Sequence, residues 1–380
     1  MITNFDDIRP YTDTEITAAM RRIAESEYLP PLAKFVFPEK TQEEVKKLLL
    51  GFKNINDFQV GVMHVFNKQV IQQTIKNFTY SGFENLDTEK NYLFVSNHRD
   101  IVLDSSLLQS TLHDGGFRTT EITFGNNLMS SQLVVDIGKS NKMFTVERGG
   151  SAREFYINSL RLSEYIRYAV TKKGESVWIA QRNGRTKDGN DATDQGIVKM
   201  FCMSNMQNFV KSIEELNIVP IAVSYQWEPC DIFKTKELYL SRGGKKYVKQ
   251  KDEDLISILT GITQQKGNVH FSICKPLEKE EYTKFANENP NKFFNRVAGL
   301  IDKRIFENYQ LWSSNYIAHD IRSGTNKCEI QYTSEEKTQF MQRFQHILSQ
   351  IEGDKEVVTS IFLGIYANPV ENNFRMQTVL

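Results

Sequence analysis

At 380 residues, 40% apolar and 25% charged, the chain can bury a sizeable core without staples, as one large domain or one domain with a smaller appendage. Its 47 basic residues balance its 47 acidic ones, so no global field argues for nucleic acid, and an anion site must come from local clusters of arginine. No apolar run approaches the roughly 18 to 20 residues that span a bilayer. The opening MITNFDDIRPYTDTEI lacks the basic-then-apolar pattern of a secretory signal, so a cytoplasmic protein is expected, working on lipid, if at all, from the surface.

Residues 1 to 80 read as a helical N-terminal region. Apolar positions recur at three and four residues in EEVKKLLLGF and in FQVGVMHVFNKQVIQQTI, and His64 in the second pattern reads as a packing or surface histidine. Residues 81 to 330 change texture. Short β-rich runs, Tyr92 to Ser96, Glu121 to Phe124, Lys142 to Val146, Ser176 to Ala180, Ile218 to Tyr225 and Asn268 to Cys274, alternate with amphipathic stretches such as Arg153 to Val170 and Asp194 to Leu216. That alternation predicts an α/β domain with a central mixed sheet flanked by helices. Phe293 to Leu311 reads as a helix, and residues 331 to 380 as one further helix, Ser334 to Ile351, followed by a polar, meandering tail from Tyr366. Cys202, Cys230, Cys274 and Cys328 form no C-x-x-C pair and have no histidine at ligand spacing, which predicts buried reduced thiols and no metal site.

Chemistry concentrates in SNHRDIVLD, Ser96 to Asp104. His98 follows a strand-like run and precedes a helix expected to start near Ile101. Asp104 falls within that helix's apolar stripe with Ile101, Leu107, Leu108 and Leu112, so it needs a partner, and His98 is the nearest. Asp100 sits where an N-cap would sit, yet it is the alternative acid. His113 reads as the end of the same helix and His319 as packing on a late one. Farther on, Arg148 lies just beyond the strand in MFTVERGG. SVWIAQRNGRTKDG sets Arg182, Gly184, Arg185 and Lys187 in a turn whose amides and guanidinium forks suit a phosphate. IVPIAVSYQWEP supplies a further strand with Pro220 near its start.

In this order and spacing, the four stretches resemble the four blocks of the glycerolipid acyltransferase superfamily, the glycerol-3-phosphate and 1-acylglycerol-3-phosphate acyltransferases. Asn97-His98 matches the start of the family's His-x4-Asp block, Arg148 the end of the second, Gly184-Arg185 half of a Glu-Gly-x-Arg turn, and Pro220 the fourth. The resemblance covers about residues 90 to 275. Five residues separate His98 from Asp104 where the family has four, and Arg182 stands where the family has glutamate.

The resemblance implies an O-acyltransferase of phospholipid biosynthesis with no cofactor beyond its cosubstrate, an acyl thioester on coenzyme A or acyl carrier protein. His98 would deprotonate the acceptor hydroxyl and Asp104 would orient the imidazole. Amides at the start of the following helix would meet the oxyanion. Arg148 and Arg185, with Arg182 and Lys187, would hold the phosphate of a glycerolipid acceptor. Peripheral contact with the inner face of the cell membrane follows from the expected product. The altered third block admits another lysolipid acceptor, such as an acylated amino acid, and the stretched His-Asp spacing a non-catalytic lipid-binding protein on the same fold.

Overall fold

The protein was studied as a computed structural model that describes residues 4–129, 131–245 and 247–378. Seven strands form one sheet: β1 (Ile75–Ser81), β2 (Leu93–Ser96), β3 (Glu121–Gly125), β4 (Met143–Val146), β5 (Val177–Ala180), β6 (Ile218–Tyr225) and β7 (Gly267–Ile273). They lie in the order β1-β7-β6-β2-β5-β3-β4, and every neighbouring pair is parallel except β6 with β7, so the sheet is mixed as expected. The six strands read from sequence are all present, within a residue or two.

Alternation along the strands sends side chains to two cores. Leu93, Val95, Val177 and Ile179 pack on one face under the helices Ala152–Tyr168, Gln195–Cys202 and Pro290–Asn308. Phe94, Ile122, Trp178, Val219 and Val223 pack on the other, against Leu107 and Leu108 of the helix Leu103–Asp114. β6 is buried along its whole length, as a strand covered on both faces must be. All four cysteines are free and buried. Among the described residues, no helix is long and apolar enough to cross a membrane.

Three expectations are corrected. Ile75–Ser81, read as helical, is the edge strand β1: the helix His64–Thr74 runs into it without a turn, and only Ile75 of the strand is buried. Asp194 to Leu216 splits into Gln195–Cys202 and Phe209–Glu214. The polar tail is helical, since a single helix runs Lys355–Thr378 with Pro369 inside it. Its polar residues face protein: Asn368 Nδ2 donates to Asp188 O at 2.6 Å and Asn372 Nδ2 to Asn190 Oδ1 at 3.3 Å. The helix therefore clamps the loop that leaves β5.

Candidate active site

β2, β5, β3 and β4 run parallel, so their carboxyl ends open on one edge, where ligands of such sheets bind. Register fixes the neighbours. Ser96 pairs with Ala180, and past the strands the His98 carbonyl accepts Thr186 N at 2.7 Å, which ties the turn after β5 to the histidine. Gly125 pairs with Val146, and Arg148 lies two residues past β4, across Gly125, where an added Cβ would meet its Nε at 2.8 Å.

His98 Nδ1 lies 2.9 Å from Asp104 Oδ2, with the carboxylate fully buried. The same oxygen accepts the backbone amides of Arg99 at 2.6 Å and Asp100 at 2.9 Å, and Oδ1 accepts the Tyr225 hydroxyl at 2.8 Å. Burial, then the Asp104 charge, raises the Tyr225 phenol well above its ordinary pKa, so it stays a donor. A carboxylate bonded on both oxygens fixes the imidazole with Nδ1 as donor and leaves Nε2 as the base. Trp178 packs edge-on against the imidazole at 5.7 Å between ring centres.

Asp100 has the other role. Its Oδ1 accepts Val102 N at 2.9 Å and Leu103 N at 2.8 Å, which starts the helix at Leu103 rather than Ile101. Among the described residues it has no hydrogen bond or ion pair with the imidazole. These bonds also correct the expected oxyanion donors: the amides of residues 99, 100, 102 and 103 are turned onto Asp104 and Asp100, so they are not aimed at substrate.

A cleft at the carboxyl ends of β3, β4 and β5 has a volume of about 560 Å³ and is mainly apolar; Phe124, Phe155, Ile179, Leu162 and Met200 line it together with Arg148 and Arg182, and His98 lies outside its lining. Neither arginine has an ion pair or side-chain hydrogen bond among the described residues. Desolvation lowers the Arg148 pKa from its ordinary value, with Asp254 opposing. The other predicted binding residues do not converge with these two. Gly184 makes the turn at φ +75°. Arg185 reaches toward Cys230, its Nη1 buried without a partner. Lys187 is corrected as a phosphate ligand, because its ammonium is neutralised by Glu237.

Sequence reasoning missed a buried charge network beneath the site. Arg99 contacts Asp191 at 2.5 Å and Glu228 at 2.9 Å, and Lys234 joins Glu228 at 2.5 Å and Arg99 O at 2.6 Å. Asn97 ties Asp191 to β6 through Val223. Tyr366 of the last helix donates to Asp231 at 2.7 Å and accepts Glu228 N at 3.1 Å. The one available signal was four charged or polar residues in a row, Asn97 to Asp100, after a fully buried strand. His64 and His113 pack ring against ring, with His64 bonded to Ser110, and His319 packs on Phe374.

Residues 77–224 match the protein-family model described as Acyltransferase. Over this segment the chain is similar to the acyltransferase family. The matched segment holds Asn97, His98, Arg148, Gly184, Arg185 and Pro220, the residues on which the superfamily resemblance rests, and also the two departures, Asp104 and Arg182. Among solved structures, the chain is similar to the crystal structure of the 1-acyl-sn-glycerophosphate (LPA) acyltransferase PlsC from Thermotoga maritima. Identity is 14%, coverage 76% of this chain and 94% of that one, and the TM-score 0.37. A search of curated protein sequences found no match.

Proposed function

We propose that this protein is an acyltransferase that moves a fatty acyl group from coenzyme A or acyl carrier protein to a hydroxyl of glycerol 3-phosphate or 1-acylglycerol 3-phosphate. The observation that carries the reading is an Asp-oriented histidine past β2 together with an apolar cleft, at the carboxyl ends of the neighbouring strands β5, β3 and β4, that is lined by two guanidinium groups with no ion pair among the described residues. An acyl chain suits the apolar walls, and a phosphate suits Arg148 and Arg182.

In the reaction, His98 Nε2 takes the proton of the acceptor hydroxyl as its oxygen attacks the thioester carbonyl. Asp104 holds the ring and stabilises the imidazolium. The tetrahedral intermediate then collapses, the C–S bond breaks, and the thiolate leaves with the proton returned by His98. No acyl-enzyme is needed.

A second reading keeps the chemistry and changes the acceptor to a lysolipid with an anionic headgroup other than phosphate, such as an acylated amino acid. Arg182 in place of the family's glutamate favours it, because the substitution adds a cation where the family has an anion. Incubating purified protein with a long-chain acyl thioester and each acceptor in turn, with product release read by thiol titration and mass spectrometry, separates the readings. Acylation of glycerol 3-phosphate or its 1-acyl derivative supports the first. Turnover confined to the amino-acid lysolipid replaces it with the second, and no turnover with any hydroxyl acceptor sinks both.

A further inference from the structure

Large exposed apolar side chains concentrate around the mouth of the cleft. On the helix Glu253–Thr263, Leu255, Ile256 and Leu259 are about half exposed and share one face, since positions three and four apart neighbour each other. In the loop before it, Val248 is 72% exposed. At the start of the helix Ala152–Tyr168, Phe155, Tyr156 and Ile157 are exposed, and the first two also line the cleft.

The Arg148 segment joins the two groups. Arg148 N donates to Asn126 Oδ1 at 3.2 Å, the next residue, Asn127, donates to Asp254 Oδ2 at 3.4 Å, and the chain passes from Arg148 directly into the Phe155 helix. Two apolar helix faces thus flank one opening.

The charge around them is basic. Residues 242–254 carry five basic and three acidic side chains, a net of 5 − 3 = +2. Lys249 is paired with Asp254, and Arg242 stacks on Tyr239, but Lys245, Lys251 and Arg153 are exposed with no ion pair among the described residues. Protruding apolar tips rimmed by lysine and arginine are the composition of a surface that inserts shallowly among anionic lipid headgroups. A folded acidic carrier would satisfy the lysines, but it would have to offer pockets for tips on separate segments. A fluid bilayer accommodates them without such a match.

We propose that the Leu255–Leu259 face, the Val248 loop and the Phe155–Ile157 turn form the docking surface for a bilayer with anionic headgroups. The cleft would then open onto the membrane plane. This rests on the reading that the acceptor is a lipid.

The test is flotation of the full chain with acceptor-free vesicles of phosphatidylcholine alone or mixed with phosphatidylglycerol. The wild type should float with the mixed vesicles and lose binding as salt rises. A Leu255→Glu/Leu259→Glu variant should lose about tenfold or more in partitioning. Lys245→Glu/Lys251→Glu should abolish the preference for anionic vesicles, and both variants should keep turnover on a dispersed, water-soluble acceptor. A wild type that does not float, or variants that float like it, overturn the surface. So do variants that bind vesicles normally but lose turnover only when acyl carrier protein is the donor, because the patch then belongs to the carrier. Failure of the lipid-acceptor reading looks different: the wild type floats, yet acylates no lipid hydroxyl.

Discussion

Asp104 Oδ2 stands 2.9 Å from His98 Nδ1, while Asp100, two residues from the histidine in sequence, spends one oxygen on the amides of Val102 and Leu103. The extra residue between histidine and acid is absorbed by the capped turn before the helix. Asp104→Asn should therefore lower kcat by about 10²- to 10⁴-fold with little change in thermal stability. Asp100→Ala should leave kcat within a few-fold and cost about 1 kcal/mol of stability as a lost cap. Steady-state kinetics and thermal melts on both variants decide. Loss of turnover in Asp100→Asn with Asp104→Asn active would reverse the assignment.

Arg148 and Arg182 line the cleft without partners, and Lys187 is bound to Glu237. Truncating either arginine should raise the acceptor's KM about tenfold or more, the scale of a lost charge-assisted hydrogen bond, and leave the donor's KM unchanged. Lys187→Ala should alter neither. An acceptor KM that moves with Lys187 and not with Arg182 would place the phosphate on the far side of the turn.

Arg99 is buried against Asp191 and Glu228, and since Lys234 still pairs with Glu228, removing it leaves the Asp191 carboxylate without a cation away from water. Arg99→Met should destabilise the fold by about 3–5 kcal/mol, read as a shift in the urea midpoint. A shift under 1 kcal/mol would mean that water or Lys234 replaces the guanidinium.

Much of the site was legible because its residues sit just past apolar strands, where a charged side chain has no packing reason to be. His98, Arg148 and Arg182 all follow that pattern. Direction was not legible. Arg182 and Arg185 are three positions apart in one turn, yet the positive φ at Gly184 separates them, the first to the cleft and the second toward Cys230. Long-range partners were equally hidden, since nothing local to Asp191 or Glu228 says that Arg99 reaches them. The last helix escaped for a physical reason as well: the tail from Tyr366 reads as polar, whereas here Asn368 and Asn372 bond to the loop after β5 while Tyr366, Ala367 and Val370 are buried.

That helix makes a sharp prediction. Pro369 has no N–H to give the carbonyl four residues back, at Ile365, and Gly189 lies against that carbonyl with φ +78°. A Cβ on Gly189 would fall 2.1 Å from Ile365 O. Gly189→Ala combines a disfavoured backbone with a clash against another backbone, and should cost about 2 kcal/mol or more. It should also weaken catalysis by loosening the Arg182 turn. Wild-type stability in this variant would show that the loop and the helix are not clamped.

Asp302 offers a pH test of the same loop. Its Oδ1 accepts Thr193 N at 2.7 Å, and burial, opposed by that bond and reinforced by the Asp191 charge, pushes its pKa up to about 6 from 3.8. Between these values the folded chain keeps a proton that the unfolded chain has released. Stability from this group is therefore greatest at the acid end and falls as pH rises to about 6, then stays level. Asn keeps the oxygen that accepts Thr193 N and cannot ionise. Urea unfolding from pH 4 to 7 should show the wild type losing about 1–3 kcal/mol relative to Asp302→Asn across that window. Parallel stability curves for the two proteins would mean that Asp302 ionises as readily in the fold as in the unfolded chain.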